Sequence, residues 1–337
     1  MSTLFLHIGH GKTGSSWLQS ALALSQDRLA AAGIVYPTPP GGLPADPTSI
    51  STGNGRHLLE SSAAFAEHLP VDTRRPRHLL YSSEYLFLAL EQLPSPEHLT
   101  ELAQSHGLER VEILCFIRNP VGHASSAYQQ RVKRAGLHES ISRFFEDFRF
   151  PERVAALVRK FAPLPGLNLQ LRNYDVCKDS LLDILQSWLK LPSGTLIEPP
   201  LPRINRSLTH AEITLQKALN RQLGPSGRLL ADPLCEHLPL AEPDKVLPPR
   251  EVQLALCQRM QAAMELTNSS LPAKHHYAWD ILEPDPEPPD IAFSEAQIEV
   301  IAESLGSEIA RLRRTLESHG GRYRPWWKKY LKFSSRT

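Results

Sequence analysis

The chain has 337 residues, with 37 basic and 36 acidic side chains and a formal net charge of +1. That length suits one large α/β domain or a domain with a substantial insertion, and the near-neutral balance argues against bulk nucleic-acid affinity. Four widely spaced cysteines, Cys115, Cys177, Cys235 and Cys257, show no metal-type pairing, which predicts no metal site and a reducing, cytoplasmic setting.

The first apolar run, Leu4-Phe5-Leu6-His7-Ile8, has the length and branching of a short buried strand. It is too short for a secretory leader, and no apolar stretch approaches the roughly 18 residues that span a bilayer. A glycine-rich turn follows over 9–16, and Trp17-Leu18-Gln19-Ser20-Ala21-Leu22 begins a helix expected over about 15–31. Residues 33–37 read as a second short strand, and the Pro/Gly/Ser/Thr-rich stretch 38–56 as a loop. A helix near 56–69 is expected to bury Leu58, Leu59, Ala63, Phe65 and Ala66. Residues 78–84 form a third strand ending in polar Ser82-Ser83-Glu84, and a helix follows at about 95–106.

The run 111–118 is the clearest strand, near-continuously apolar as in parallel strands buried on both faces. Helices are expected near 121–135, 140–147 and 151–162, a strand over 167–172 and an amphipathic helix over 178–189. Alternating strands and helices predict an α/β fold with an open parallel sheet flanked by helices. From about 190 the pattern changes. Prolines cluster at 199–202, 239–249 and 284–289, and helical patterns appear near 209–223, 249–268 and 293–318 without a convincing strand. The predicted division is a core over 1–190 and a proline-rich helical extension over 191–337, packed on that core. The basic, aromatic segment 322–333 suits a membrane surface, an acidic partner or docking on its own domain.

Two constellations carry chemistry. In the first, strand, small-residue loop, Lys12 and helix start combine into an anion cradle: the unpaired N–H groups of a first helical turn and the helix dipole both favour negative charge. Lys12 adds a cation with three donors. The nucleotide P-loop pattern GxxxxGK[ST] fits at Gly11-Lys12-Thr13, but its first glycine falls on Leu6, inside the strand. The loop is therefore shorter than an NTPase loop; a plain Gly/Ser turn with a solvent-facing lysine is the alternative. In the second, Arg118 leaves the best strand, Pro120 starts a helix, and Ser126 and Tyr128 follow within it. Ligands in open α/β sheets bind outside the carboxyl ends of the strands, so Lys12 and Arg118 are expected to face one crevice.

The compact loop Lys12-Thr13-Gly14-Ser15-Ser16-Trp17 resembles the 5′-phosphosulfate loop of PAPS-dependent sulfotransferases. Arg118, Pro120, Ser126 and Tyr128 resemble their 3′-phosphate motif, and the resemblance to bacterial-type members covers roughly residues 3–175. It implies a P-loop-kinase-like three-layer fold with a C-terminal helical extension. It also implies transfer of a sulfuryl group from PAPS to an acceptor hydroxyl, leaving adenosine 3′,5′-bisphosphate, without a metal. By the same resemblance, Gly11, Lys12, Thr13, Gly14, Ser15 and Ser16 hold the 5′ end and Arg118 and Ser126 the 3′-phosphate. Arg203 and Arg206 are further cofactor candidates. Trp17 packs against the adenine or into the core. Lys12 neutralises charge on the leaving phosphate, and Glu84 is the expected base; His10, His57 and His123 compete for that role, and an ion pair of Glu84 with Arg118 or Lys12 is its structural alternative.

A carbohydrate or glycolipid acceptor is expected, with a pocket built by 38–56, 85–95 and parts of 225–290. Two rival readings remain. A small-molecule or nucleotide kinase would need Mg²⁺ and an aspartate ending a strand. A non-enzymatic nucleotide-binding scaffold would recruit a partner or membrane.

Overall fold

Five strands form one all-parallel sheet in the computed structural model, which describes residues 2–9, 11–38, 53–67, 78–200, 206–283 and 291–318. The strands are β1 (Thr3–Ile8), β2 (Ile34–Val35), β3 (His78–Ser83), β4 (Arg110–Ile117) and β5 (Leu167–Asn173), in the order β2-β3-β1-β4-β5. Between β1 and β3 lie α1 (Ser15–Leu24), α2 (Gln26–Ala31) and α3 (Ser62–Glu67). Between β3 and β4 lie α4 (Tyr85–Gln92) and α5 (Glu97–Ser105). Between β4 and β5 lie α6 (Pro120–Arg134), α7 (Ile141–Asp147) and α8 (Phe150–Phe161). After β5 come α9 (Tyr174–Cys177), α10 (Leu181–Trp188), α11 (His210–Leu223), α12 (Ala231–His237), α13 (Arg250–Asn268) and α14 (Glu295–Ser318).

The side-chain alternation of the strands builds two cores. Leu4, Leu6 and Ile8 of β1 point to one face with Leu79, Tyr81, Val111, Ile113, Cys115 and Ile117; α4, α5, α6, α8 and α13 cover that face. Phe5, Leu80, Leu114 and Phe116 point to the other, covered by α1, α2 and α10. The result is an α/β three-layer sandwich. The connection leaving β1 crosses on the second face, whereas those leaving β3 and β4 cross on the first. This is the arrangement right-handed crossovers impose when the chain moves in opposite directions along the sheet. β1 is therefore the topological switch point, and the loops beyond its carboxyl end and those of β3 and β4 diverge to leave a crevice.

Several elements depart from expectation. The helix expected over 15–31 breaks at Ser25, whose hydroxyl donates to the Ala21 carbonyl at 2.6 Å and accepts from Ile197 N–H at 2.7 Å. Only Leu58 and Phe65 of the expected stripe are fully buried; Ala63 and Ala66 are exposed, because the helix is confined to Ser62–Glu67. Most of 85–95, expected to be a pocket loop, is the helix α4, anchored by Leu86, Phe87 and Leu90. The segment 39–52, the main part of another expected pocket loop, lies outside the described residues.

By internal contacts the chain divides into two compact units: 1–128 with 139–205 and 245–286, and 129–138 with 206–244 and 287–337. The first contains the sheet. The second is helical among its described residues, with Leu208, Ala211, Ile213, Leu230, Ala231 and Leu234 buried. Its polar centre is Arg206, paired with Glu212 at 2.8 Å through Nη1 and Nη2, with Gln297 donating to the same carboxylate at 2.7 Å.

Candidate anion site at the carboxyl edge of the sheet

The loop after β1 is held back against β3: Gly9 N–H donates to the Ser83 carbonyl at 3.3 Å. A β-carbon at Gly9 would overlap the Ser15 hydroxyl and lie 2.9 Å from Cγ of Glu84, so the absence of a side chain lets those two groups close on the loop. Gly14 turns the chain into α1 with φ 80° and ψ 10°, a left-handed conformation that favours glycine. A β-carbon there would also press on Leu181 at 3.0 Å and Tyr174 at 3.4 Å. Lys12 has φ 72° without being glycine. A non-glycine residue in that region carries backbone strain of about 1 kcal/mol or more, a cost seen most often at ligand-binding turns.

No side chain caps the N-terminus of α1, which leaves its first N–H groups directed at the loop. Thr13 and Ser15 are buried, and the Ser15 hydroxyl oxygen has no hydrogen-bond partner. Ser16 is half-buried. A buried hydroxyl without a partner beside an uncapped helix start, a lysine and a glycine turn fits an anion. Trp17 is half-buried and packs on the second core; its indole N–H is buried without a partner.

Glu84 immediately follows β3. A β-carbon on Gly11 would sit 3.8 Å from its Oε2, which places the carboxylate over the anion loop. The residue as a whole keeps an exposed surface, while its carboxyl end is crowded by the loop. Loss of solvent at that end pushes its pKa above the ordinary value; Lys12 and the Ser15 hydroxyl oppose the rise.

Arg118 follows β4, and its Nη1 donates to the Lys12 carbonyl at 3.4 Å, joining the two constellations. Its Nε donates to Asp175 Oδ1 at 3.0 Å, and its guanidinium lies 5.6 Å from the Tyr174 ring centre. Asp175 is itself fixed: Oδ2 accepts from Asn119 N–H at 2.7 Å, and its own N–H donates to the Asn173 side chain at 3.1 Å. A β-carbon on Gly122 would lie 3.5 Å from Nη2 of Arg118, so the guanidinium lies along the first turn of α6. Ser126, one turn further on the same helix face, is half-exposed.

No protein-family profile and no curated protein matches this chain.

The structure thus brings together Gly11, Lys12, Thr13, Gly14, Ser15, Ser16, Glu84 and Arg118, and it places Ser126 one turn beyond Gly122 on α6. It does not bring in the other candidates. Arg206 is buried in the second unit, where its nitrogens donate to Glu212 and to the carbonyls of Leu234, Ser207 and Leu238, leaving no donor for a ligand. His57 is exposed and pairs with Glu60 at 2.6 Å. His123 is buried on the core side of α6 against Phe148 and Phe150, at ring-centre distances of 5.1 and 4.8 Å. His10, Arg203 and the segment 322–333 lie outside the described residues. Among the described residues no three or more His, Cys, Asp or Glu side chains group as metal ligands, and no helix is long and apolar enough to cross a membrane.

Three participants carry no role in either motif. Gly9 matters through the space it leaves, and Tyr174 and Asp175 through the position of Arg118. The available signal was positional: Asn173-Tyr174-Asp175 ends β5 at the same edge of the sheet, and an Asn accepting from the N–H two residues on is a local turn signature.

Proposed function

We propose that the chain is a PAPS-dependent sulfotransferase of P-loop-kinase-like fold, acting on a hydroxyl acceptor. The observation that carries the reading is the convergence of Lys12, Glu84 and Arg118 at the carboxyl ends of three neighbouring strands, with Arg118 bonded to the Lys12 carbonyl. Two cationic groups on separate loops suit a donor with phosphate at both its 5′ and 3′ positions. PAPS would supply the sulfuryl group and carry away the bridging oxygen as phosphate.

The chain's own residues divide the work. The α1 N–H groups with the hydroxyls of Thr13, Ser15 and Ser16 bind the 5′ end, and the Lys12 ammonium balances negative charge there. Arg118, oriented by Asp175 and backed by Tyr174, binds the 3′-phosphate with Ser126 beside it. Glu84 accepts the proton of the acceptor hydroxyl; the pKa raised by loss of solvent suits a carboxylate to that role. Positioning and charge balance carry most of the catalysis in such transfers.

A carbohydrate or glycolipid acceptor and a cytoplasmic setting belong to the same proposal, as does peripheral membrane contact through 322–333 for a lipid-linked acceptor. The kinase reading is weaker on one observation: Asp175, the aspartate that follows β5, is engaged by Arg118 and by Asn119 N–H. Incubation with PAPS and a panel of hydroxylated acceptors, followed by mass spectrometry for a gain of one sulfuryl group, tests the activity. ATP-dependent phosphorylation of those acceptors, with no sulfation, would replace the proposal with the kinase.

A further inference from the structure

α14 is the longest helix among the described residues, at 24 residues. It rests within its own unit on α12 and the turn Gly227–Leu229, and Ser304 Oγ donates to the Leu229 carbonyl at 3.0 Å. That contact uses one side of the helix. Along another stand the exposed Ile298, Ile309, Leu312 and Leu316, with Ile301 and Leu305 half-buried between that side and the contact. At about 100° per residue, Ile298, Leu305, Ile309 and Leu316 fall within about 20° of one line. Ile298 is 54% exposed, Ile309 50%, Leu312 47% and Leu316 54%. Such residues singly are ordinary on a surface; four exposed ones aligned over five turns, with Leu305 half-buried among them, mark an interaction face.

The charges say what covers it. Residues 295–308 carry Glu295, Glu299, Glu303 and Glu308 and no lysine or arginine, whereas 309–318 carry Arg311, Arg313 and Arg314 against one glutamate, Glu317. The helix is acidic at its start and basic at its end. A parallel pair of such helices would place acid on acid and base on base. An antiparallel pair places opposite charges together at both ends, and a two-fold axis near residue 307 keeps the stripe in register. Ile298 then faces the partner's Leu316, and Leu305 faces the partner's Ile309. Glu299 and Arg313 flank the stripe on the same side, so each meets the partner's opposite member.

We infer that α14 is a homodimerisation helix that pairs antiparallel with α14 of a second copy of this chain. This inference is independent of the nucleotide the sheet edge binds. One helix seam of about 36 Å lies at the small end of stable interfaces, so association depends on protein concentration in the micromolar range. Sedimentation equilibrium of the full chain from about 1 to 100 µM is expected to give a monomer–dimer equilibrium. Leu312→Glu and Leu316→Glu, both at exposed positions, are expected to abolish the dimer with an unchanged circular dichroism spectrum. Glu299→Arg alone and Arg313→Glu alone should each weaken it several-fold, and the double exchange should restore it.

A chain that stays monomeric at the top concentration overturns the inference. So does a dimer indifferent to the leucine substitutions, or a double exchange weaker than either single one. A chain that dimerises only after removal of residues 319–337 would assign the face to its own tail, and one that stays monomeric but binds lipid vesicles would assign it to a membrane.

Discussion

Lys12 holds a left-handed backbone where a glycine turn, an uncapped helix and an arginine from another strand meet. In the proposed site its ammonium balances the donor's charge rather than filling a core. Lys12→Ala is therefore expected to lower turnover by a factor of 100 or more, as removal of a transition-state donor does, with a melting temperature within a few degrees of the parent. Loss of folding together with activity would assign Lys12 a structural role instead. Glu84→Gln keeps the shape and removes the proposed base. Because the Glu84 pKa is raised, the parent's kcat/KM should climb with pH through an ionisation above the ordinary carboxylate value of about 4.3, and the variant should lack that limb. His7 tests the core rather than the site. Its ring is fully buried, Nδ1 lies 2.7 Å from the Ser82 hydroxyl, and burial lowers its pKa from 6.5 to about 4. The unfolded chain takes up this proton first, so its contribution to stability is complete above pH 6.5 and falls as pH drops toward 4. Urea unfolding should show an acid slope of at most about 1.4 kcal/mol per pH unit from this group, absent in His7→Gln.

At the scale of elements, the part of the site legible in the sequence was the part written in contiguous residues. β1 and β4 announce themselves as apolar runs, and Lys12 and Arg118 stand directly after them. Glu84 was readable as the polar end of β3. Asp175 was not, because its value depends on β5 lying beside β4 in register, with Phe116 opposite Arg172 and Ile117 opposite Asn173. α4 was hidden for a different reason: Tyr85-Leu86-Phe87-Leu88-Ala89-Leu90 is apolar at every position, so no helical period stands out, although only Leu86, Phe87 and Leu90 are buried. The break at Ser25 depends on Ile197 N–H, far along the chain. Arg206 sat in a promising basic motif and turned inward because Glu212, which closes a capping box with Thr209, offers a buried carboxylate. Asp175 supports Arg118 through one hydrogen bond and Asn119 through another. Asp175→Asn should weaken affinity for adenosine 3′,5′-bisphosphate about tenfold, the scale of losing one charge-assisted bond, while leaving 5′-AMP affinity nearly unchanged. Equal losses for both nucleotides would mean that Arg118 does not read the 3′ position.

For the whole molecule, the proposed contacts lie on loops and helix starts beyond the carboxyl ends of the strands, with Ser126 further along α6, while the two cores beneath carry the stability. The second unit has its own buried polar centre in Arg206, Glu212 and Gln297 and contributes no residue to the site as described. All four cysteines are free, and Cys115, Cys177 and Cys257 are buried; freshly prepared protein should melt at the same temperature with and without a reductant. The central claim is that the crevice at β1 binds a nucleotide with phosphates at both the 5′ and 3′ positions. Titration calorimetry of the full chain with adenosine 3′,5′-bisphosphate, and separately with ADP and Mg²⁺, tests it most directly. The account predicts saturable, metal-independent binding of the bisphosphate, lost in Lys12→Ala and weakened in Arg118→Ala, with ADP at least tenfold weaker. Binding of ADP with Mg²⁺ but not of the bisphosphate would contradict it.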